Sequence, residues 1–87
     1  MASTLYLLAI PDADRIPDRL DLLGDGRQLA PSIYCIASDL SRSKLYHRIK
    51  WQLPDDTGLL VAPLADVPKF KGMEPGVLSW LRSLDLT

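Results

Sequence analysis

The segment Ser32–Leu64, SIYCIASDLSRSKLYHRIKWQLPDDTGLLVAPL, determines the fold expected of this chain. Its first part, 32–38, is apolar, and its side chains alternate weakly between two directions, which indicates a central strand. Ser41 follows as a helix N-cap, and a basic amphipathic helix is predicted to run to about Leu53. A Pro-Asp-Asp-Thr-Gly turn ends this helix, and the apolar run over 59–64 predicts a further strand. The segment is therefore predicted to be a strand–helix–strand unit.

A similar alternation of elements precedes this unit. The apolar run Thr4–Ile10 predicts a buried central strand. A short helix is then expected to open at Asp14 or Ile16 and to stop at Gly24. Its apolar residues have helical spacing, i, i+4, i+7: Ile16, Leu20 and Leu23. The stretch 26–31 predicts an edge strand, because its terminal proline is tolerated at a sheet edge.

The C-terminal part predicts one more helix, over 74–85. Four of its apolar residues follow the i, i+3, i+4, i+7 pattern: Val77, Trp80, Leu81 and Leu84. The full order predicts an α+β fold, a ferredoxin-like βαββαβ sandwich over 1–87 with this helix appended. The helices of such a sandwich lie on one face of the sheet, so either the C-terminal helix or a second protomer must cover the other face. A domain this small also gains stability by forming a homodimer.

Composition narrows the class of protein. The 87 residues are 47% hydrophobic and 24% charged, with a net charge of −1. These values argue against disorder and do not favour a dedicated nucleic-acid binder, which is usually strongly basic. The single cysteine, Cys35, excludes an internal disulfide and is expected to be a core residue. No segment has membrane-spanning length, and the N-terminal apolar run is too short for a secretory signal, so we expect a cytoplasmic protein.

The charges are distributed unevenly along the chain. Residues 42–50 contain four Lys or Arg and the only His, whereas residues 12–25 contain five Asp. A basic helical face binds phosphates or an acidic protein surface, although a solvated outer face is the alternative. Trp51, beside these residues, either anchors an interface or covers the last strand. The predicted binding residues are Arg42, Lys44, His47, Arg48, Lys50 and Trp51.

Two carboxylates follow the first strand. Asp12 and Asp14 are candidate Mg²⁺ ligands, because hard cations bind carboxylate oxygens, and Asp12 is the only candidate catalytic residue. The alternative is an acidic loop placed favourably at a helix N-terminus. No segment has the spacing of a catalytic motif, and His47 has no partner that would mark a nucleophile. We therefore expect neither catalysis nor a cofactor.

The runs SIYCIASDLS and DDTGLLVAPL, together with Phe-Lys-Gly-Met at 70–73, resemble the second half of small bacterial "SinR family" proteins. These belong to the superfamily of the CRISPR-associated small adaptation protein and of VapD-like toxins. The resemblance implies a ferredoxin-like homodimer. Nuclease members of the superfamily hold a divalent metal with one aspartate per protomer, placed just after the first strand. At that place this chain has Ile10 and Pro11, with Asp12 only nearby, which argues against metal-dependent cleavage.

Two functions follow as hypotheses. One is a small homodimeric protein that binds RNA or DNA and does not cleave it; if the chain is an enzyme, the resemblance implies a metal-dependent endonuclease. The other is a protein-interaction module, such as an inhibitor, antitoxin or regulatory subunit in phage–host defence, without catalysis. Salt-dependent binding distinguishes the first from the second, because phosphate contacts release counterions.

Overall fold

Residues 3–84 are described by a computed structural model, and they form a four-stranded antiparallel sheet with two α-helices. The elements in chain order are β1 (Thr4–Ala9), a 3₁₀ turn (Ala13–Arg15), β2 (Asp25–Ala30), β3 (Ile33–Ser38), α1 (Arg42–Lys50), β4 (Leu60–Pro63) and α2 (Val77–Ser83). The predicted α+β class is confirmed at this level.

The sheet has the strand order β2-β3-β1-β4. β1 and β3, the two most apolar strands, pair along their whole length, with Thr4 opposite Ser38 and Ala9 opposite Ile33. β2 pairs only with β3 and β4 only with β1, so these two strands form the edges. The predicted central and edge positions of β1, β2 and β3 are therefore confirmed, with bounds that differ by about one residue.

Each face of the sheet has its own core, because successive strand residues point to opposite faces. The first core lies under α1 and contains Tyr6, Leu8, Ile10, Tyr34, Ile36, Leu45 and Ile49. The second core lies under α2 and contains Leu5, Leu29, Cys35, Val77, Trp80 and Leu81. Of the two covers expected for the second face, the C-terminal helix is the one observed.

The predicted helix between β1 and β2 is wrong. The chain makes only the 3₁₀ turn Ala13–Arg15 and leaves it at Ile16, whose backbone is extended (φ −77°, ψ 124°). The reason is Pro17, because a proline disfavours the helical conformation of the residue before it. The apolar residues of this stretch still pack against the first core: Ile16, Leu20, Leu22 and Leu23.

The C-terminal helix begins later than predicted, at Val77 instead of residue 74. Gly76 precedes it with a left-handed backbone (φ 86°), a conformation that glycine adopts without the steric cost of a Cβ. Residue 85, the predicted end of this helix, lies outside the described residues.

Candidate nucleic-acid interface

Helix α1 presents one face to the core and the rest of its surface to solvent. Ser41 begins the helix, since its hydroxyl oxygen accepts the Lys44 backbone N–H at 3.2 Å, as predicted for an N-cap. Leu45 and Ile49 are fully buried in the first core. The helix ends at Lys50, three residues before the predicted end, and Leu53 still packs against that core from the following turn. Because this face is held against the core, the predicted binding residues on the other sides of the helix point to solvent.

The solvent side of α1 carries two rows of basic and aromatic side chains. One row, at i, i+3, i+4 and i+7, consists of Lys44, His47, Arg48 and Trp51, and it lines a shallow depression of about 390 Å³. The other row, at i, i+4 and i+8, consists of Arg42, Tyr46 and Lys50. The Lys50 ammonium lies 6.0 Å from the centroid of the Tyr46 ring, at the outer limit of a cation–π contact. Five of the six predicted binding residues therefore lie on α1, and the sixth, Trp51, directly follows it.

No acidic side chain among residues 3–84 forms an ion pair with the cations of this helix. Residues 42–50 contain no Asp or Glu. Within residues 3–84, the ion pairs are Arg15 with Asp12 (3.1 Å) and Arg27 with Asp25 (2.9 Å), and neither includes a residue of α1. The last turn of α1 holds His47, Arg48 and Lys50, where positive charge also interacts favourably with the helix dipole. The positive charge of this surface is therefore available to an anionic partner.

Aromatic rings are interleaved with these cations. Trp51 is 75% exposed, which is unusual for the largest side chain and shows that it does not cover the last strand. Its ring centroid lies 6.2 Å from that of His47, which in turn makes an edge contact with Tyr46 at 5.2 Å. The exposed Trp51 ring, bordered by cations, suits a ligand with both a ring and a negative charge.

Trp51 also lines a second depression, of about 270 Å³, which the sequence analysis did not predict. The opposite wall is the turn over 54–57, in which the Thr57 N–H donates to the Pro54 carbonyl at 3.3 Å and Asp56 adopts a left-handed backbone (φ 65°). The sequence signalled only a turn here, because nothing in Pro-Asp-Asp-Thr-Gly indicates that it faces the end of α1.

Gln52 is a further residue that sequence reasoning missed. Its side-chain oxygen accepts the Asp21 backbone N–H at 2.7 Å, and its side-chain nitrogen donates to the Asp21 carbonyl at 2.7 Å. This reciprocal pair fastens the irregular stretch 16–24 to the end of α1, beside Trp51. A glutamine after a basic helix carries no sequence signal for such a contact.

The two candidate metal ligands lie at the 3₁₀ turn, where both are exposed. Asp12 pairs with the Arg15 guanidinium, which also donates to the Asp55 carbonyl at 3.0 Å. Among residues 3–84, no group of three or more His, Cys, Asp or Glu side chains is arranged to hold a metal ion. The Arg15 guanidinium is bound to one of the two carboxylates that a Mg²⁺ ion would need, and this ion pair is a structural contact of Asp12.

Two buried groups lie on the central strand β3. Burial raises the pKa of the Cys35 thiol and of the Tyr34 hydroxyl, because the charged form of each loses its hydration. Cys35 is fully buried, as predicted. Neither group is part of the α1 surface.

No helix among the described residues is both long and apolar enough to cross a membrane. Comparison of the chain with protein-family models, with curated proteins and with solved structures gave no match.

Proposed function

We propose that this chain is a small binding protein whose α1 surface holds single-stranded RNA or DNA without cleaving it. The observation that carries the proposal is the combination of four helix cations that form no ion pair within the described part of the chain with a Trp51 ring that is 75% exposed. Cations bind the phosphates, and an aromatic ring stacks with a base that is not paired in a duplex. A solvated outer face accounts for the cations alone but not for the exposed tryptophan.

We propose that the fold is ferredoxin-like, with the first helix reduced to the 3₁₀ turn. This is supported by the strand order, in which β3 separates β1 from β2 and β1 separates β3 from β4, the split arrangement of the βαββαβ pattern. It is also supported by the position of α1 as the crossover between β3 and β4. On this basis we retain the resemblance to the CRISPR-associated small adaptation protein superfamily, and with it a homodimer, as part of the proposal.

Binding without cleavage is supported by the end of the first strand. Where the nuclease members are expected to have an aspartate, this chain has the buried Ile10 followed by Pro11, and Asp12 is paired with Arg15. The expected consequence is that Asp12→Ala does not change nucleic-acid binding and that added Mg²⁺ does not lead to cleavage of the bound strand.

The test is the binding of a fluorescent single strand, followed by anisotropy over a range of salt concentrations. If the four α1 cations each contact one phosphate, the slope of log K against log salt is about −2.8, at about −0.7 per contact for single strands. Lys44→Glu with Arg48→Glu removes two contacts, so we expect the slope to fall to about −1.4 and the affinity at low salt to drop at least tenfold.

The matched control is Lys69→Glu with Lys71→Glu, which changes the net charge equally. Both lysines are exposed in the loop before α2, on the side of the second core. We expect this variant to keep the wild-type slope. An equal loss of affinity in the two variants would mean that only the net charge of the protein matters for binding. If the wild-type protein does not bind the strand at all, the proposal is refuted in favour of the protein-interaction hypothesis.

A further inference from the structure

We propose that the depression between Trp51 and the 54–57 turn recognises a guanine base of the bound single strand, an inference that rests on the proposed function. The depression has a volume of about 270 Å³, slightly below the range of about 300–1,000 Å³ typical of small-molecule sites, so it suits one flat ring system. It is lined by groups of different chemistry: Lys50, Trp51, Leu53, Pro54, Asp55, Asp56 and Thr57.

The groups around this depression favour a nucleotide over other ligands. An aromatic ring beside two carboxylates also suits a cationic ligand, but the four cations of α1 would repel one. A nucleotide satisfies both parts of the surface, because its phosphate is negative and its base is neutral and rich in N–H donors. The base then stacks on Trp51 while Lys50 and the neighbouring cations contact the backbone.

Among the bases, the acceptors of the turn favour guanine. Asp55 and Asp56 are both exposed, and their carboxylate oxygens can accept hydrogen bonds from a ligand. Guanine presents two adjacent donors, N1–H and the N2 amino group, which match the two oxygens of one carboxylate. Adenine and cytosine each present one amino group beside an acceptor nitrogen, and uracil presents one N–H between two carbonyls.

One contact from outside the turn holds it in place for such recognition. The Arg15 guanidinium donates to the Asp55 carbonyl at 3.0 Å, which ties the turn to the 3₁₀ segment. The Thr57 hydroxyl oxygen, in the same wall, is buried and has no hydrogen-bond partner among the described residues. This oxygen exposes almost no surface to the depression, so it is a cost of the turn's conformation and not a contact with a ligand.

The test compares short uridine-rich single strands that carry one central guanine, inosine, adenine or cytosine. Inosine lacks only the N2 amino group of guanine. We expect the guanine strand to bind about tenfold more tightly than the other three, in the range of one bidentate base contact. Equal affinities, or a preference for cytosine, would overturn the inference.

The variant that probes the same contact is Asp55→Asn with Asp56→Asn. Asparagine tolerates the left-handed backbone of residue 56, so the turn is kept. We expect the preference for guanine to disappear while the salt slope stays that of the wild type; a preference that survives would refute the role of these carboxylates. Asp66→Asn with Glu74→Gln is the control for the loss of two negative charges, because both residues are exposed in the segment between β4 and α2.

The outcomes separate this inference from the proposed function. Binding that is salt-dependent and sensitive to Lys44→Glu with Arg48→Glu, but equal for all four strands, refutes only the guanine site. No binding of any strand at low salt refutes both.

Discussion

Replacing Gln52 by alanine tests how the irregular stretch after β1 is held in place. The Gln52 side chain makes two hydrogen bonds with the backbone of Asp21, one as acceptor and one as donor, both at 2.7 Å. These two bonds join the stretch 16–24, which was predicted to be helical, to the end of α1. Gln52→Ala removes both and leaves the Asp21 N–H and carbonyl to water.

The expected cost follows from the number and exposure of these bonds. A typical intramolecular hydrogen bond contributes about 0.5–1.5 kcal/mol net, and both of these lie at the surface, where water replaces them. Two bonds near the lower end give about 1–1.5 kcal/mol. For a domain of this size that corresponds to a fall in Tm of about 5–10 °C.

Gln52→Glu separates the hydrogen bonds from the packing of the side chain. At neutral pH its carboxylate accepts the Asp21 N–H but faces the Asp21 carbonyl without a donor, so we expect this variant to be no more stable than Gln52→Ala. A protonated carboxyl donates to that carbonyl, which raises the pKa of this Glu in the folded state above its unfolded value of about 4.3. The added stability is therefore fully present below about pH 4.3 and is lost as the pH rises through the folded pKa.

The assay is urea unfolding of the wild type and both variants between about pH 3.5 and 7, with each free energy of unfolding referred to Gln52→Ala at the same pH. We expect the free energy of unfolding of the glutamate variant to exceed that of the alanine variant only in the acid range. A cost of Gln52→Ala below about 0.3 kcal/mol, or a difference between the variants that does not change with pH, would show that these hydrogen bonds do not hold the stretch.

Two further predictions concern the cores. Ile49→Ala should lower the free energy of unfolding by about 2–5 kcal/mol, because Ile49 is fully buried between α1 and the sheet. Chemical denaturation measures this change. A loss below about 1 kcal/mol would contradict the position of α1 on the first core. The raised pKa values of Cys35 and Tyr34 mean that the folded protein holds these protons more tightly than the unfolded chain, so stability should fall as the pH rises above about 8.5 for Cys35 and about 10 for Tyr34. Unfolding of Cys35→Ala across the alkaline range should lack the first of these losses, and an unchanged profile would refute the assignment to Cys35.

The strands and α1 were predictable because their signals are local. β1 and β3 are long apolar runs, and the alternation in β3 separates Tyr34 and Ile36 from Ile33 and Cys35, as the two cores require. Ser41 is a strong N-cap, and its hydroxyl makes the expected bond. In these elements, local preference and tertiary packing agree, which is the condition under which sequence patterns are reliable.

The missing helix shows where that agreement ends. Ile16, Leu20 and Leu23 have helical spacing, and Pro17 on its own would fit the first turn of a helix. However, Pro17 also disfavours the helical conformation of Ile16, which is extended. The apolar residues reach the first core without a helix, and Gln52, distant in the sequence, supplies hydrogen bonds to the backbone. Spacing predicted which side chains pack against the core and failed to predict the backbone conformation that places them there.

The same distinction applies to the candidate interface. The cations of α1 and the tryptophan after it could be read from the sequence, because helical periodicity alone places them on one surface. The turn that forms the second wall could not, since its position depends on how the chain returns from α1 to β4 and on the Arg15 contact with Asp55. A charge stripe can be predicted from the sequence and predicts affinity for anions in general. Any choice among bases requires a second wall, and here that wall comes from a segment whose sequence signals nothing beyond a turn.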